Sequence, residues 1–297
     1  MRNNFETERL LLDGLGLKHA AFIAVLVNTP GWLEFIGDRN VRTPEQALTY
    51  IQNILNKPTV HYWVVTLKEH RIPIGIITFI KRDYLEHYDI GFAFLPEYTG
   101  KGFAREATMA VLKDVVSNPA HTQILATTVK RNKKSILLLE SLGLRFAFET
   151  TQGNDALLVY AVSVDKWLIN QVTNLFFSAF TNANQQVAAL ENIYRICLPQ
   201  TIIIKKEMEK EEIYTIHSFI APRKKILTDG TLTEFEEYEV AEETTVVGYM
   251  AHRLSTYQKT GYLNGEYFEG TGNKLFQYIK TSEGWKIASV VWEDKNA

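Results

Sequence analysis

Residues 89–107 constrain this chain more than any other stretch. Asp89 to Leu95 reads as a strand, Pro96 stops it, and Gly100 and Gly102 make a turn that opens directly into a helix. A helix N-terminus leaves N–H groups unpaired and carries about half a positive charge, so such a turn brings backbone donors onto an anion. Glycine at 100 and 102 permits the close approach that a Cβ would block. The expected ligand is a phosphate or pyrophosphate. Two common phosphate fingerprints fail. A dinucleotide-binding Gly-x-Gly-x-x-Gly needs a third glycine that is absent, and a Walker loop needs Gly-Lys-Ser/Thr, whereas Gly100-Lys101 is followed by Gly102.

Around this segment the pattern is mixed α/β. Residues 6–12 read as a strand closed by Gly14 and Gly16, and residues 18–27 as a helix broken at Pro30-Gly31. Thr43 is placed to cap a helix that has Pro44 in its first position and runs to about Leu55. Strands follow at 61–67 and 74–79, then the strand at 89–95, a helix at 102–116, a strand at 123–129, a helix at 135–142 stopped by Gly143, and strands at 144–149 and 156–162. Beyond this point the order changes to helices first, at 165–180 and around Leu190, then a strand at 201–204, a short helix near His217 and several long strands. Charge divides the same way, +2 over residues 1–166 and −4 over 167–297, with the charged run 205–212 reading as a solvated hairpin or helix face. Two domains are expected, 1–166 and 167–297.

The segment Thr99-Gly100-Lys101-Gly102-Phe103-Ala104 resembles the acyl-CoA signature of the GCN5-related N-acetyltransferases, Gln/Arg-x-x-Gly-x-Gly/Ala. Thr99 stands in the first position, Gly102 in the fourth and Ala104 in the sixth. Asp89-Ile90-Gly91-Phe92 and Arg105-Glu106-Ala107 are similar to the branch that acetylates ribosomal-protein N-termini and related amines. Asn132-Lys133-Lys134-Ser135 with Glu140-Ser141-Leu142-Gly143-Leu144 is similar to the family's later Asn-x-x-Ser…Glu-x-Leu-Gly-Phe motif, and the resemblance covers residues 5–165. It implies a mixed sheet with flanking helices and acetyl-CoA as co-substrate. The cofactor-binding residues would be Phe92, Phe94, Leu95, Thr99, Gly100, Lys101, Gly102, Phe103, Ala104 and Asn132. It implies direct attack of an amine on the thioester, with an amide of the 92–95 strand as oxyanion donor, Asp89 as general base and Ser135 as the acid near the thiol. Glu86 and His87 compete with Asp89, and Ser135 also reads as a plain helix cap. The departure is Thr99, which lacks the long donor side chain usual at that position. Acceptor choice is expected in residues 30–42 and 81–87, where Trp32, Phe35 and Tyr84 read as an apolar wall, with plain helix core as the alternative for Phe35 and Ile36.

Residues 167–297 resemble a nuclear transport factor 2-like (SnoaL-like) α+β cone with a curved antiparallel sheet. The resemblance rests on the element order and on the hairpin around Gly284-Trp285-Lys286-Ile287. Such folds serve enzymes, binding modules and dimers alike. His217, Tyr249, Arg253, Tyr257 and Trp292 are candidates to face a pocket, with core as the alternative reading. A homodimer through this domain is expected, with a closed ligand-binding pocket as the alternative.

Composition narrows the function classes. Among 297 residues, 46% hydrophobic and 22% charged, the cores can be filled and a disordered chain is excluded. A net charge of −2 argues against a general nucleic-acid binder. One cysteine, Cys197, excludes an intramolecular disulfide and a cysteine-rich zinc site, and no metal is expected. Residues 2–9 are polar, so no signal peptide is read, and no run approaches the ~20 apolar residues of a membrane span. The expectation is a cytoplasmic N-acetyltransferase acting on a small-molecule or peptide amine, without nucleic acid or membrane. A non-catalytic acyl-CoA sensor is the alternative.

Overall fold

An eight-stranded mixed sheet carries the first of two units, Met1–Val164 and Asp165–Ala297, in a computed structural model that describes residues 2–153 and 155–295. Its elements are β1 (Asn4–Glu6), β2 (Leu10–Gly14), α1 (Ala20–Leu26), α2 (Pro30–Phe35), α3 (Pro44–Leu55), β3 (Val60–Leu67), β4 (Ile72–Lys81), β5 (Tyr88–Phe94), α4 (Phe103–Val115), β6 (Gln123–Thr128), α5 (Lys133–Ser141), β7 (Arg145–Gln152) and β8 (Asp155–Ser163). The strands lie in the order β1-β2-β3-β4-β5-β6-β8-β7. Every neighbouring pair is antiparallel except β5 and β6.

Local chemistry accounts for most boundaries. Thr43 caps α3 by accepting from the Gln46 amide at 3.3 Å, Gln46 returns its side chain to the Thr43 amide, and Ala47, Ile51 and Ile54 form the buried face. In β4 the run Ile74 to Phe79 is buried throughout, as expected of a central strand covered on both faces. Helices α1 and α3 pack with Val64 and Ile76 on one of those faces. Two expectations change. Residues 6–12 are not one strand: the Thr7 N–H donates to the Leu10 carbonyl at 3.0 Å and the Thr7 hydroxyl accepts from the Leu10 N–H at 3.0 Å, which reverses the chain between β1 and β2. Pro30 does end the helix before it, but it also starts α2, because proline fits a first helical position where no N–H partner is needed.

The second unit holds α6 (Val164–Ser178), α7 (Glu191–Ile196), β9 (Cys197–Glu207), β10 (Lys210–Tyr214), α8 (Ile216–Thr228), β11 (Leu232–Val247), β12 (Met250–Leu263), β13 (Glu266–Thr281) and β14 (Gly284–Lys295). Its six strands run β10-β9-β14-β13-β12-β11, with only β14 and β9 parallel among the described residues. The charged run 205–212 forms the β9–β10 hairpin. Aromatic rings fill the core. Phe276 is fully buried, with ring centroids 5.2 Å from Phe176, 6.0 Å from Phe177 and 5.9 Å from Tyr278. Two ionic groups are sunk into the same unit. Arg253 is held by Glu239 and by Asn170 at 2.7 Å, and Lys274 pairs with Glu237 at 2.7 Å while its ammonium lies 3.4 Å from the centre of the Tyr257 ring. Burial pulls the Lys274 amine below its ordinary value. Burial also pushes the Cys197 thiol up to about 12, which leaves it inert as a nucleophile. Of the residues suspected of facing a pocket, Arg253, Tyr257 and Trp292 belong to the buried interior, whereas Tyr249 is 74% exposed and His217 lies on the surface of α8.

Truncating the centre of the aromatic cluster should be costly. Phe276→Ala is expected to destabilise the chain by about 3–5 kcal/mol, read as a lowered urea midpoint. A loss under about 1 kcal/mol would contradict the burial.

Candidate active site

Strands β5 and β6 touch at one point and then part. The β4–β5 ladder is continuous from Gly75/Phe94 to Lys81/Tyr88, but the parallel β5–β6 pairing consists of Asp89 opposite Leu125 alone among the described residues. The Leu95 N–H donates to the Ile74 carbonyl at 2.9 Å across β4. Backbone groups alternate sides along an antiparallel strand, so residues 93, 91 and 89 also face β4, and 90, 92 and 94 face away from it. Past Ile90, therefore, the N–H and C=O groups of Phe92 and Phe94 open into the fork. The Leu95 amide is committed to Ile74 and cannot serve there as an oxyanion donor.

Asp89 closes the fork. It is 1% exposed, and both carboxylate oxygens are engaged. One accepts from the Thr127 N–H at 3.0 Å, and the other takes the Arg82 guanidinium and the Thr127 hydroxyl, the latter at 3.3 Å. The Thr127 amide is the group that would otherwise continue the ladder to β5, so the carboxylate replaces a backbone acceptor at the point of divergence. Burial pushes the Asp89 carboxyl above the ordinary carboxylate range, and Arg82 works against that shift. A carboxylate so enclosed holds the two strands at the point where they part.

At the C-terminal end of β5 the chain makes a short 3-10 turn, Pro96–Tyr98, and enters α4 through Gly100 (φ +75) and Gly102 (φ +81). Both are left-handed, a conformation that glycine adopts without strain. The first intrahelical bond runs from the Glu106 N–H to the Gly102 carbonyl at 3.0 Å. The N–H groups of Phe103, Ala104 and Arg105 thus have no helical partner and are available to an anion. Thr99 contributes little: its hydroxyl turns back to donate to the Pro96 carbonyl at 2.9 Å. Lys101 is exposed, its ammonium 5.6 Å from the centre of the Tyr98 ring.

At the C-terminal end of β6 the chain enters α5, capped by Asn132, whose side-chain oxygen accepts from the Ser135 N–H at 3.1 Å. The Asn132 NH₂ group remains for a ligand, and the half-buried Ser135 hydroxyl stands in the first turn. Two helix N-termini thus follow two parallel strands that splay apart, which is where ligands enter open α/β sheets. Arg131, just before Asn132, donates to the Glu34 carbonyl at 2.9 Å and lies 6.0 Å from the centre of the Phe35 ring, so α2 borders this end of the fork. Lys130, Lys133 and Lys134 are solvated. Trp32 is no acceptor wall: it is 4% exposed and donates its indole N–H to the Gly37 carbonyl at 3.1 Å within the core. Tyr84 packs against Leu85, Leu125 and Val159. Among the described residues, no group of three or more His, Cys, Asp or Glu is placed to hold a metal ion, and no helix is long and apolar enough to cross a membrane.

Residues 9–145 match the family described as acetyltransferase (GNAT) domain. The chain is 28% identical over 140 residues to the uncharacterized N-acetyltransferase YnaD of Bacillus subtilis (strain 168), covering 47% of this chain and 81% of that one. A putative acetyltransferase from T. thermophilus has a similar structure, with a TM-score of 0.50 at 18% identity over 56% of this chain and 92% of that one. A probable GNAT-family acetyltransferase from Chromobacterium violaceum has a TM-score of 0.50 at 17% identity, over 56% and 89%. At such identities these two structures speak for the fold alone. The first unit carries a GNAT acetyltransferase domain, and the chain is an acyltransferase.

Removing the Asp89 carboxylate should strand the Arg82 guanidinium and the Thr127 amide and hydroxyl. Asp89→Ala is expected to cost about 2–3 kcal/mol in denaturant unfolding, below the 3–5 typical of a broken buried pair because the Arg82 side chain keeps 30% exposure. Asp89→Asn retains an acceptor for Thr127 and should cost less. Wild-type stability in both variants would remove the bracing role.

Proposed function

We propose that this chain transfers an acetyl group from acetyl-CoA to a primary amine, on a protein N-terminus or a small molecule, by direct attack in a ternary complex. The observation that carries this reading is the fork between β5 and β6, with unpaired Phe92 and Phe94 backbone groups on one side and the Gly100–Gly102 helix entry at its end. The free amides of Phe103, Ala104 and Arg105 receive the pyrophosphate. The Phe92 and Phe94 backbone pairs with the amide-bearing arm, one of their N–H groups polarising the thioester carbonyl as negative charge develops on its oxygen. The Asn132 NH₂ group holds the arm from the β6 side.

The C–N bond forms as the C–S bond breaks. The nitrogen gives up one proton, and the Ser135 hydroxyl supplies one to the departing sulfur and regains one from solvent, so the protons balance. An α-amino acceptor, with a pKa near ~8, is partly neutral at physiological pH and can lose its proton through water, whereas an alkylamine near ~10 needs more help. With Asp89 acting as the brace of the fork, the amine proton leaves toward solvent at the α2 side.

The first test is thiol release from acetyl-CoA across a panel of peptides and small amines. Gly102→Val places a β-branched side chain on a left-handed residue, with its Cβ 3.3 Å from the Arg9 guanidinium. CoA binding should weaken by about 1–3 kcal/mol in calorimetry. Unchanged affinity in a folded variant would remove the pyrophosphate assignment.

The second unit reads as an NTF2-like accessory domain that pairs two copies of the chain. Leu254, Leu275, Val291 and Ile204 stand opposite one another across four adjacent strands, on the face away from the helices, and Leu254 and Leu275 are each 43% exposed. An apolar row of this kind favours a covered sheet face. The full chain should sediment as a dimer, and Leu275→Glu should make it monomeric. A monomeric wild type would overturn the pairing.

A further inference from the structure

The proposed acyl-CoA turn has two electrostatic weaknesses. Thr99 supplies no long donor where the family signature carries Gln or Arg, and its hydroxyl is bonded back to Pro96. Glu106, in the first turn of α4, places a carboxylate close to the N–H groups that would meet a pyrophosphate. Both weaknesses are met by one residue far upstream in the sequence. Arg9 lies on the reversal between β1 and β2. Its Nε donates to Glu106 at 2.7 Å, its Nη2 is 2.6 Å from the same oxygen, and its Nη1 donates to the Lys101 carbonyl at 3.1 Å. The guanidinium carbon sits 4.6 Å from the centre of the Phe103 ring, and Nη2 is 3.3 Å from where a Gly102 Cβ would stand. The second Glu106 oxygen takes the Thr7 hydroxyl at 2.6 Å and the Arg9 N–H at 2.9 Å.

We propose that Arg9 is the positioning residue of the acyl-CoA turn, taking over from the N-terminal segment the part that a long side chain at position 99 plays in the signature. The inference rests on the assignment of that turn to acetyl-CoA. Three links give it content. The guanidinium neutralises Glu106, so the pyrophosphate does not meet an uncompensated carboxylate. It also holds the Lys101 carbonyl, which fixes the peptide plane leading into Gly102 and hence the direction of the following amides. Finally, a guanidinium has five N–H groups, and three are accounted for by these contacts, so two remain beside the turn. Burial raises the Glu106 carboxyl, but the hydrogen bonds from Thr7 and Arg9 outweigh it and hold the group below its ordinary value, which keeps the clamp ionised in neutral solution.

A mere staple between the N-terminal hairpin and α4 would leave ligand affinity alone, so the test must separate affinity from stability. Arg9→Ala should raise the CoA Kd and the acetyl-CoA KM about tenfold, as expected for loss of charge-assisted contacts, with the loss falling on KM rather than kcat. S-acetylpantetheine, which lacks the pyrophosphate, should show no such rise in KM in the same variant. Arg9→Lys keeps the charge but not the fork of donors and should fall between, which also serves if the alanine variant fails to fold. Equal losses with both donors, or an unchanged CoA Kd beside a lowered Tm, would overturn the proposal. Wild-type chain that does not bind CoA would overturn both this and the assignment on which it rests.

Discussion

The divergence of β5 from β6, and the carboxylate that stops the two strands from closing, govern everything the first unit can do. Parallel strands in register would pair along their length and leave no backbone group free. Here the pairing ends after Asp89 and Leu125, and the Asp89 side chain takes the Thr127 amide that the next backbone carbonyl would have taken. A buried carboxylate is costly to desolvate, and this one persists because Arg82 and Thr127 fill its oxygens. The fork, and with it the open edge of Phe92 and Phe94, depends on that compensation.

Around the fork the architecture concentrates positive potential without a conspicuous basic patch. Two helices start where the two splayed strands end, so their partial positive charges converge on one crevice. The carboxylate in the first turn of α4, Glu106, is neutralised by a residue brought in from the N-terminal hairpin. Under the proposed reading such a site relies on aimed dipoles, which need no reorganisation when an anion arrives. It is consistent with a chain whose net charge is only −2.

The second unit uses burial differently. Its sheet is anchored to α6 by aromatic packing and by Arg253, which reaches Asn170 on that helix and Glu239 on β11 at once. Lys274 sits among Tyr257, Phe177 and Trp292 with Glu237 as its partner. Such groups stabilise only when fully paired, so they specify one arrangement of strands and helices more sharply than apolar contacts would.

Much of this was legible in the residues themselves. The glycine turn, the Asn132 cap, the alternation of strands and helices, and the change to long strands after residue 200 all follow from local rules: φ angles that favour glycine, unsatisfied helix-end donors, and side-chain periodicity. The roles of individual side chains were less legible, because they depend on partners distant in sequence. Asp89 reads as a candidate base from its place before Ile90-Gly91, but 38 residues away Thr127 takes its oxygens. Trp32 reads as an acceptor wall until the Gly37 carbonyl is found against its indole. Residues 6–12 read as one strand because the apolar pattern hides a reversal made by one threonine hydroxyl, and that reversal is what delivers Arg9 to α4. Sequence alone determined the elements, the glycine turn into α4 and the order of the two units, since these rest on interactions within a few residues. Only the tertiary structure decided which carboxylate braces, which cation clamps and which amides stay free, because hydrogen-bond partners and burial are set by contacts that close across the whole sheet.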